Sequence, residues 1–271
     1  MNIQLLALDL DGTTMRTNNT LAPDVKNAIE RAILSGIEVA VISGRPYTSM
    51  PREILEIRGI RWIVASNGAA IYQNGVRVHA DRLRETDVLR ILDLTKEHDL
   101  IWEAFCGNET CSDKRYYDNP LQYGCSPAYV DYVRTSRGCC SDMRGYIFQN
   151  RRRLDCLDFV STDSRLRQTL WAQLESALPG VYITSSSRNF VEMMNRSANK
   201  ANALRQLCAR LNIDLKNTAA AGNADNDADM LALAGIGAAV RNAAPACLNV
   251  ADAVIPSNDE GGVRELIMQL L

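Results

Sequence analysis

The stretch Asp9-Leu10-Asp11-Gly12-Thr13 follows directly on the apolar run from Ile3 to Leu8. A short, nearly continuous apolar run of this kind predicts a strand buried on both faces, as in a parallel sheet covered by helices. Residues i and i+2 of an extended segment point the same way. Both carboxylates are therefore expected to emerge together at the strand's C-terminal end, the edge at which open α/β sheets bind ligands. Gly12 lets the backbone turn tightly there. Two acids this close repel each other, so a cation is expected between them. A solvated acidic turn is the plainer reading of a lone Asp-x-Asp; its position behind an N-terminal buried strand favours a site.

Outward from this point, the segments Ile37–Ile42, Ile63–Ala65, Thr218–Ala221 and Ile236–Val240 read as further buried strands. Between the first two strands, Pro23 suits a first helical turn. Val25, Ala28, Ile29, Ala32 and Ile33 then recur at helical spacing, and Gly36 can end the helix. Met230, Leu231, Leu233 and Ala234 precede Gly235 in the same manner. Strand–helix alternation predicts an α/β fold: a doubly wound, Rossmann-like parallel-sheet core. The middle of the chain reads differently. Helical patterns start near Thr86 and Asp163, and Gly145–Phe148 and Leu157–Val160 look like strands. The expectation is a discontinuous core, residues 1–81 and 188–271, with an inserted α+β cap domain at 82–187.

Three more segments carry candidate chemistry. Ser43-Gly44-Arg45 ends the second strand, where a hydroxyl and backbone N–H groups can hold phosphate oxygens. Lys200 opens a helix carrying Ala203, Leu204, Leu207 and Leu211. A lysine in a first turn opposes the helix dipole and needs another reason to be there. Neutralising Asp9 and a bound phosphate is such a reason; a solvated surface lysine is the alternative. Gly222-Asn223-Ala224-Asp225-Asn226-Asp227 follows a strand and is rich in oxygen donors suited to a hard cation such as Mg²⁺. The same residues could equally cap the next helix.

Bulk properties narrow the class. The 271 residues carry a net charge of −2, so no global basic field points to nucleic acid. No apolar run approaches the ~20 residues that a membrane-spanning helix needs, and no export signal is visible, so a cytoplasmic protein is expected. The eight cysteines lack paired C-x-x-C spacing and are expected to be free thiols; His79 and His98 are isolated. Oligomeric state is not readable.

Taken together, the four segments resemble the haloacid dehalogenase-like (HAD) superfamily, and the placement of the insert resembles its Cof-type subfamily IIB. Asn67-Gly68-Ala69, Asn242-Ala243 and the tail from Asn258 to Val263 add to the likeness. The resemblance implies an Mg²⁺-dependent phosphatase acting on small phosphorylated metabolites such as sugar phosphates. It implies that Asp9 is the nucleophile, becoming an aspartyl-phosphate, and that Asp11 is the acid/base. It assigns phosphate binding to Leu10, Ser43, Gly44, Lys200 and Asn226. It assigns Mg²⁺ to Asp9, the Asp11 backbone carbonyl and position 223, with Asp227 fixing the loop behind them. The fourth motif of the superfamily usually begins Gly-Asp; here Asn223 stands in that place. An amide oxygen still ligates Mg²⁺, but one negative charge is gone, so weaker metal binding is expected, with Asp225 or Asp227 as possible compensation. Two alternatives stay open: a phosphotransferase of the same fold, and a non-catalytic phospholigand-binding protein. Tyr116, Tyr117, Tyr123 and Arg144 are cap residues that could face a leaving group, with packing or exposed roles the commoner outcome.

Overall fold

The computed structural model describes residues 2–185 and 187–271. Along the chain, β1 (Leu5–Leu8) leads through α1 (Pro23–Leu34) to β2 (Glu38–Ile42), then α2 (Arg52–Leu55) and β3 (Trp62–Ala65). A hairpin follows, β4 (Ala70–Gln73) and β5 (Val76–Ala80), turning at Asn74-Gly75, both with positive φ. Next come α3 (Glu85–Leu94), β6 (Ile101–Cys106), β7 (Glu109–Asp113), α4 (Lys114–Asp118), α5 (Val130–Ser136), β8 (Gly138–Cys140) and α6 (Met143–Asn150). The sequence continues with β9 (Cys156–Val160), α7 (Ser164–Ala177), β10 (Val181–Thr184), β11 (Phe190–Asn195) and α8 (Lys200–Leu211). It ends with β12 (Thr218–Gly222), α9 (Ala228–Leu233), β13 (Ile236–Val240), α10 (Pro245–Val250), β14 (Ala253–Ile255) and α11 (Gly262–Leu270).

Two sheets organise these elements. The first has eight strands in the order β14-β13-β12-β1-β2-β3-β4-β5. From β14 to β3 every pairing is parallel; β4 then pairs antiparallel with β3. The sheet is thus mixed, its parallel heart extended on one side by the hairpin. The chain winds outward from β1 through β2 and β3, then returns to place β12 on the other flank of β1. This reversal is a topological switch point, and the crevice it opens lies at the C-terminal ends of β1, β2 and β12. Those strands earn their central place by composition: β1 and β12 are buried along their whole length.

Residues to Arg45, Met50–His79 and Asn199–Leu271 form one compact unit; Pro46–Ser49 and Ala80–Ala198 form the other. The second unit holds the six-stranded sheet, ordered β10-β11-β9-β6-β7-β8. One face of it packs Trp102, Leu157, Phe159, Val191 and Met193 against Val88, Ile91, Leu170 and Leu174 of α3 and α7. The opposite face carries a buried polar row in cross-strand register: Thr184, Glu192, Asp158, Glu103 and Ser112. Arg137 pairs with Glu103 at 3.0 Å and lies over the rings of Phe105 and Tyr132.

Two sequence expectations change here. Gly145–Phe148 is helical, not a strand. Met143 and Ile147, one helical turn apart, are both buried, and the Asp142 side chain caps the helix by accepting from Gly145 N at 2.9 Å. A short apolar run cannot by itself distinguish the two. The core also does not resume near Phe190. β11 pairs antiparallel with β9 and β10 and sends Val191 and Met193 into the second unit's core, so that unit extends to Ala198 rather than 187. All eight cysteines are free thiols. Among the described residues no helix is long and apolar enough to cross a membrane.

Candidate active site

The segment after β1 is a tight, cross-braced turn. Asp9 N donates to Ala221 O at 3.1 Å, carrying the β1–β12 pairing one residue further. Leu10 O then accepts from the N–H groups of Thr13, Thr14 and Met15 at 3.2, 3.0 and 2.8 Å. Gly12, at φ +78°, makes the bend. Thr14 Oγ1 donates back to Asp9 O. The turn buries the Asp9 carboxylate and leaves Asp11 about one-third exposed.

Lys200 is the first residue of α8, whose N-cap Asn199 accepts from Asn202 N at 2.8 Å. Its side chain is fully buried, with Nζ 2.7 Å from Asp9 Oδ1 and 2.6 Å from Asp227 Oδ1. A lysine that opposes the helix dipole is thus held by two carboxylates. The other oxygen of Asp227 accepts from the N–H groups of Asn223 and Ala224, both at 3.0 Å, which fixes the loop after β12. Burial pushes the Asp9 carboxyl up to about 7; Asp227 and Asp11 push the same way, against the pull of Lys200. Burial alone would lower the Lys200 ammonium, but Asp227 and Asp9 hold it above its ordinary value. One cation thus answers two buried acids, and the locus around Asp9 keeps an excess of negative charge.

Arg45, unassigned by sequence reasoning, is buried and forks Asp11, with Nε 2.8 Å from Oδ2 and Nη2 on Oδ1; Nη2 also donates to Asn19 Oδ1 at 2.7 Å. The bidentate geometry fixes the carboxylate plane. Its only sequence signal was a place in the Ser43-Gly44-Arg45 motif. Ser43 Oγ is buried and accepts from Arg45 N at 3.1 Å. Among the described residues, neither the Leu10 nor the Gly44 N–H has an intramolecular acceptor. Asn226 is buried and donates to Asn67 Oδ1 at 2.8 Å, while its own Oδ1 has no partner. Asn67 was also unassigned; it sits at φ +55° between Ser66 and Gly68, which also have positive φ.

Asn223 completes the site. One atom of its amide lies 3.1 Å from Asp9 Oδ2, 2.9 Å from the Asp11 carbonyl oxygen and 3.0 Å from Thr13 Oγ1. When that atom is Oδ1, three oxygens face one another with no proton between the Asp9 and Asp11 pair and the amide. Oxygens bound in an octahedron at 2.0–2.1 Å stand about 3 Å apart along each edge, so the set fits a small hard divalent cation. Among the described residues no cluster of three His, Cys, Asp or Glu side chains could hold a metal ion. That is consistent with this set, which has one carboxylate, one backbone carbonyl and one amide. Of the two suggested compensating acids, Asp227 is committed to Lys200 and the loop N–H groups, and Asp225 is exposed.

An acid pair at the switch point of a mainly parallel sheet, a lysine buried between carboxylates, and a separate inserted sheet define an α/β phosphohydrolase with a cap. The chain belongs to the haloacid dehalogenase-like hydrolase family, whose model matches residues 6–267. It is 30% identical to phosphatase YwpJ of Bacillus subtilis (strain 168), covering 99% of this chain and 100% of that protein. It is 24% identical to the 5-amino-6-(5-phospho-D-ribitylamino)uracil phosphatase YcsE of the same organism, over 98% of this chain and 95% of that protein. Among solved structures, a haloacid dehalogenase-like hydrolase from B. subtilis superposes with a TM-score of 0.87 at 27% identity, over 99% of this chain and 100% of that one. The subclass IIB sugar phosphatase BT4131 shares the fold, with a TM-score of 0.83 at 16% identity, over 99% of this chain and 100% of that one.

Proposed function

We propose that this phosphatase hydrolyses small phosphomonoesters of the sugar- or polyol-phosphate type through an aspartyl-phosphate on Asp9. The observation that carries the reading is the Asp9 carboxylate itself: buried, with one oxygen on Lys200 and the other turned to the Asn223 amide, at the mouth of β1. In the first half-reaction an Asp9 oxygen attacks phosphorus as the ester P–O bond breaks, and Asp11 gives its proton to the departing alkoxide. In the second, a water attacks the phosphoryl group, its proton passes to Asp11, and inorganic phosphate leaves with Asp9 restored.

Supporting parts surround that step. The Leu10 and Gly44 N–H groups and the Ser43 hydroxyl would take phosphate oxygens, with Lys200 contributing charge and Asn226 an amide hydrogen. Arg45 holds Asp11 in one orientation for both proton transfers. Mg²⁺ held by Asp9, the Asp11 carbonyl and Asn223 would offset charge on the transferring group. The phosphoribityl substrate of YcsE supports a polyhydroxylated leaving group for this chain, since that relative aligns over nearly its full length.

The test is Mg²⁺-dependent phosphate release from p-nitrophenyl phosphate and from a panel of sugar and sugar-alcohol phosphates. Acid-quench mass spectrometry should find a phosphate on the peptide containing Asp9. Asp9→Asn is expected to lose at least about 10³-fold in kcat while remaining folded. Wild-type turnover in that variant would overturn the covalent route.

A further inference from the structure

We propose that Asn223 is a reversible ligand whose amide turns over with the cation: Oδ1 faces the site when a divalent cation is bound, and Nδ2 faces it when the cation leaves. This rests on the metal reading given above and adds a device that a carboxylate at the same position could not supply.

The backbone of Asn223 is pinned from both sides. Its N–H donates to Asp227 Oδ2 at 3.0 Å, and its carbonyl accepts from Ala244 N at 2.7 Å. The side chain is equally confined. A Cβ at Gly12 would stand 2.5 Å from Nδ2, so only a glycine there leaves room for the amide. What remains is rotation by half a turn about the last side-chain bond, which exchanges Oδ1 and Nδ2 with little change in occupied space.

The two orientations have opposite chemistry at one point. With oxygen inward, Asp9 Oδ2 and the Asp11 carbonyl, 3.1 and 2.9 Å away, are acceptors facing an acceptor, and only a cation satisfies all three. With nitrogen inward, the same contacts become two N–H···O hydrogen bonds, one of them to a charged acceptor. Thr13 Oγ1, 3.0 Å away, donates to the oxygen in the first state; in the second the two amide protons serve Asp9 Oδ2 and the Asp11 carbonyl, and the hydroxyl is at most a shared third acceptor. An aspartate at 223 has oxygen on both sides. Without a cation it would add a further negative charge beside Asp9 and Asp227, which share a single lysine. The asparagine therefore gives up cation affinity twice, by losing a charge and by offering hydrogen bonds that the cation must displace. In exchange, the cation-free site is internally satisfied.

The experiment uses the full chain, wild type and Asn223→Asp, with Mg²⁺ alone as the probe. Thermal unfolding is followed in EDTA and through an Mg²⁺ titration, and the side-chain ¹⁵NH₂ signals of the wild type are recorded in both conditions. In EDTA the variant is expected to melt at least about 2–4 °C below wild type. With Mg²⁺ it should gain more, its apparent Kd being at least about tenfold tighter. The Asn223 ¹⁵NH₂ protons should exchange slowly in EDTA and shift and lose protection as Mg²⁺ saturates. An unchanged Asn223 signal at measured Mg²⁺ saturation overturns the turnover of the amide and leaves the metal reading standing. So does an Asn223→Asp protein as stable as wild type in EDTA. If Mg²⁺ moves neither melting curve nor any signal, the metal reading fails, and this inference with it.

Discussion

At the level of single residues, the site is a small set of charges that cannot be altered one at a time without cost. Lys200 lies 191 positions from Asp9 and is its only basic partner among the described residues. Removing one member of a buried ion pair costs about 3–5 kcal/mol, because the remaining charges stay desolvated. Lys200→Met is therefore expected to lower the unfolding free energy by about that amount in urea titrations. Lys200→Met/Asp227→Asn should recover part of it by removing one of the stranded acids. Much of this set could be read from the sequence. Asp9, Asp11 and Ser43 stand behind apolar runs, and Lys200 contradicts the dipole of its own helix, so each announces itself locally. Arg45 and Asn67 do not. The grip of Arg45 on Asp11 spans 34 positions, and the bond from Asn226 to Asn67 spans 159; both exist only once the sheet has brought four loops together. The amide of Asn223 was legible as a missing charge but not as a donor, because its hydrogen-bonding capacity matters only against the Asp11 carbonyl.

At the level of elements, the loop after β3 shows how backbone strain serves placement. Ser66, Asn67 and Gly68 all have positive φ, at 49°, 55° and 107°. A Cβ on Gly68 would lie 2.6 Å from Asn199 O and 3.0 Å from Asn199 N, which are backbone atoms at the cap of α8. Gly68→Ala is expected to destabilise the protein by about 1–3 kcal/mol. It should also lower kcat through the displaced first turn that carries Lys200, measured by denaturation and phosphate release on the same sample. The six-stranded sheet offers a pH experiment. Burial first, then Glu192 and Glu103, hold the Asp158 carboxyl well above its ordinary value, against the opposing Cys156 contact and Arg137. A carboxyl raised on folding binds its proton more tightly in the native state. Its contribution is fully present below the ordinary carboxylate range and is lost as pH climbs from there through the raised value. Asp158→Asn, which mimics the protonated form, should therefore raise the melting temperature most at pH 8, and by progressively less as the pH falls toward the ordinary carboxylate range. Elements were legible where composition was unambiguous: the double-sided burial of β1, β2 and β12 follows from unbroken apolar runs. Gly145–Phe148 and Phe190–Asn195 were not, since short apolar stretches specify neither helix against strand nor which of two sheets receives them. The β4–β5 turn had a usable signal in Asn74-Gly75.

At the level of the whole molecule, the candidate site draws, besides Lys200, on three distant loop segments: 10–14, 43–45 and 223–227. A ligand held by all three should protect them as one group. Hydrogen exchange with Mg²⁺ and a non-hydrolysable phosphate analogue is expected to slow in these segments together, with a stabilisation of about 2.7 kcal/mol at a hundredfold excess over Kd. Protection confined to one segment would argue against a shared site. The strand order has a further consequence during synthesis. β1 is made before both of its neighbours, and one of them, β12, ends only at Gly222, with the whole second unit translated in between. While that happens, the leading strand has an unsatisfied hydrogen-bonding edge, and the inserted unit, largely a continuous stretch, can mature on the ribosome first. The order of assembly is thus inverted relative to the order of translation: β1 must wait for β12, made after the whole second unit, before the edge carrying the candidate site can close.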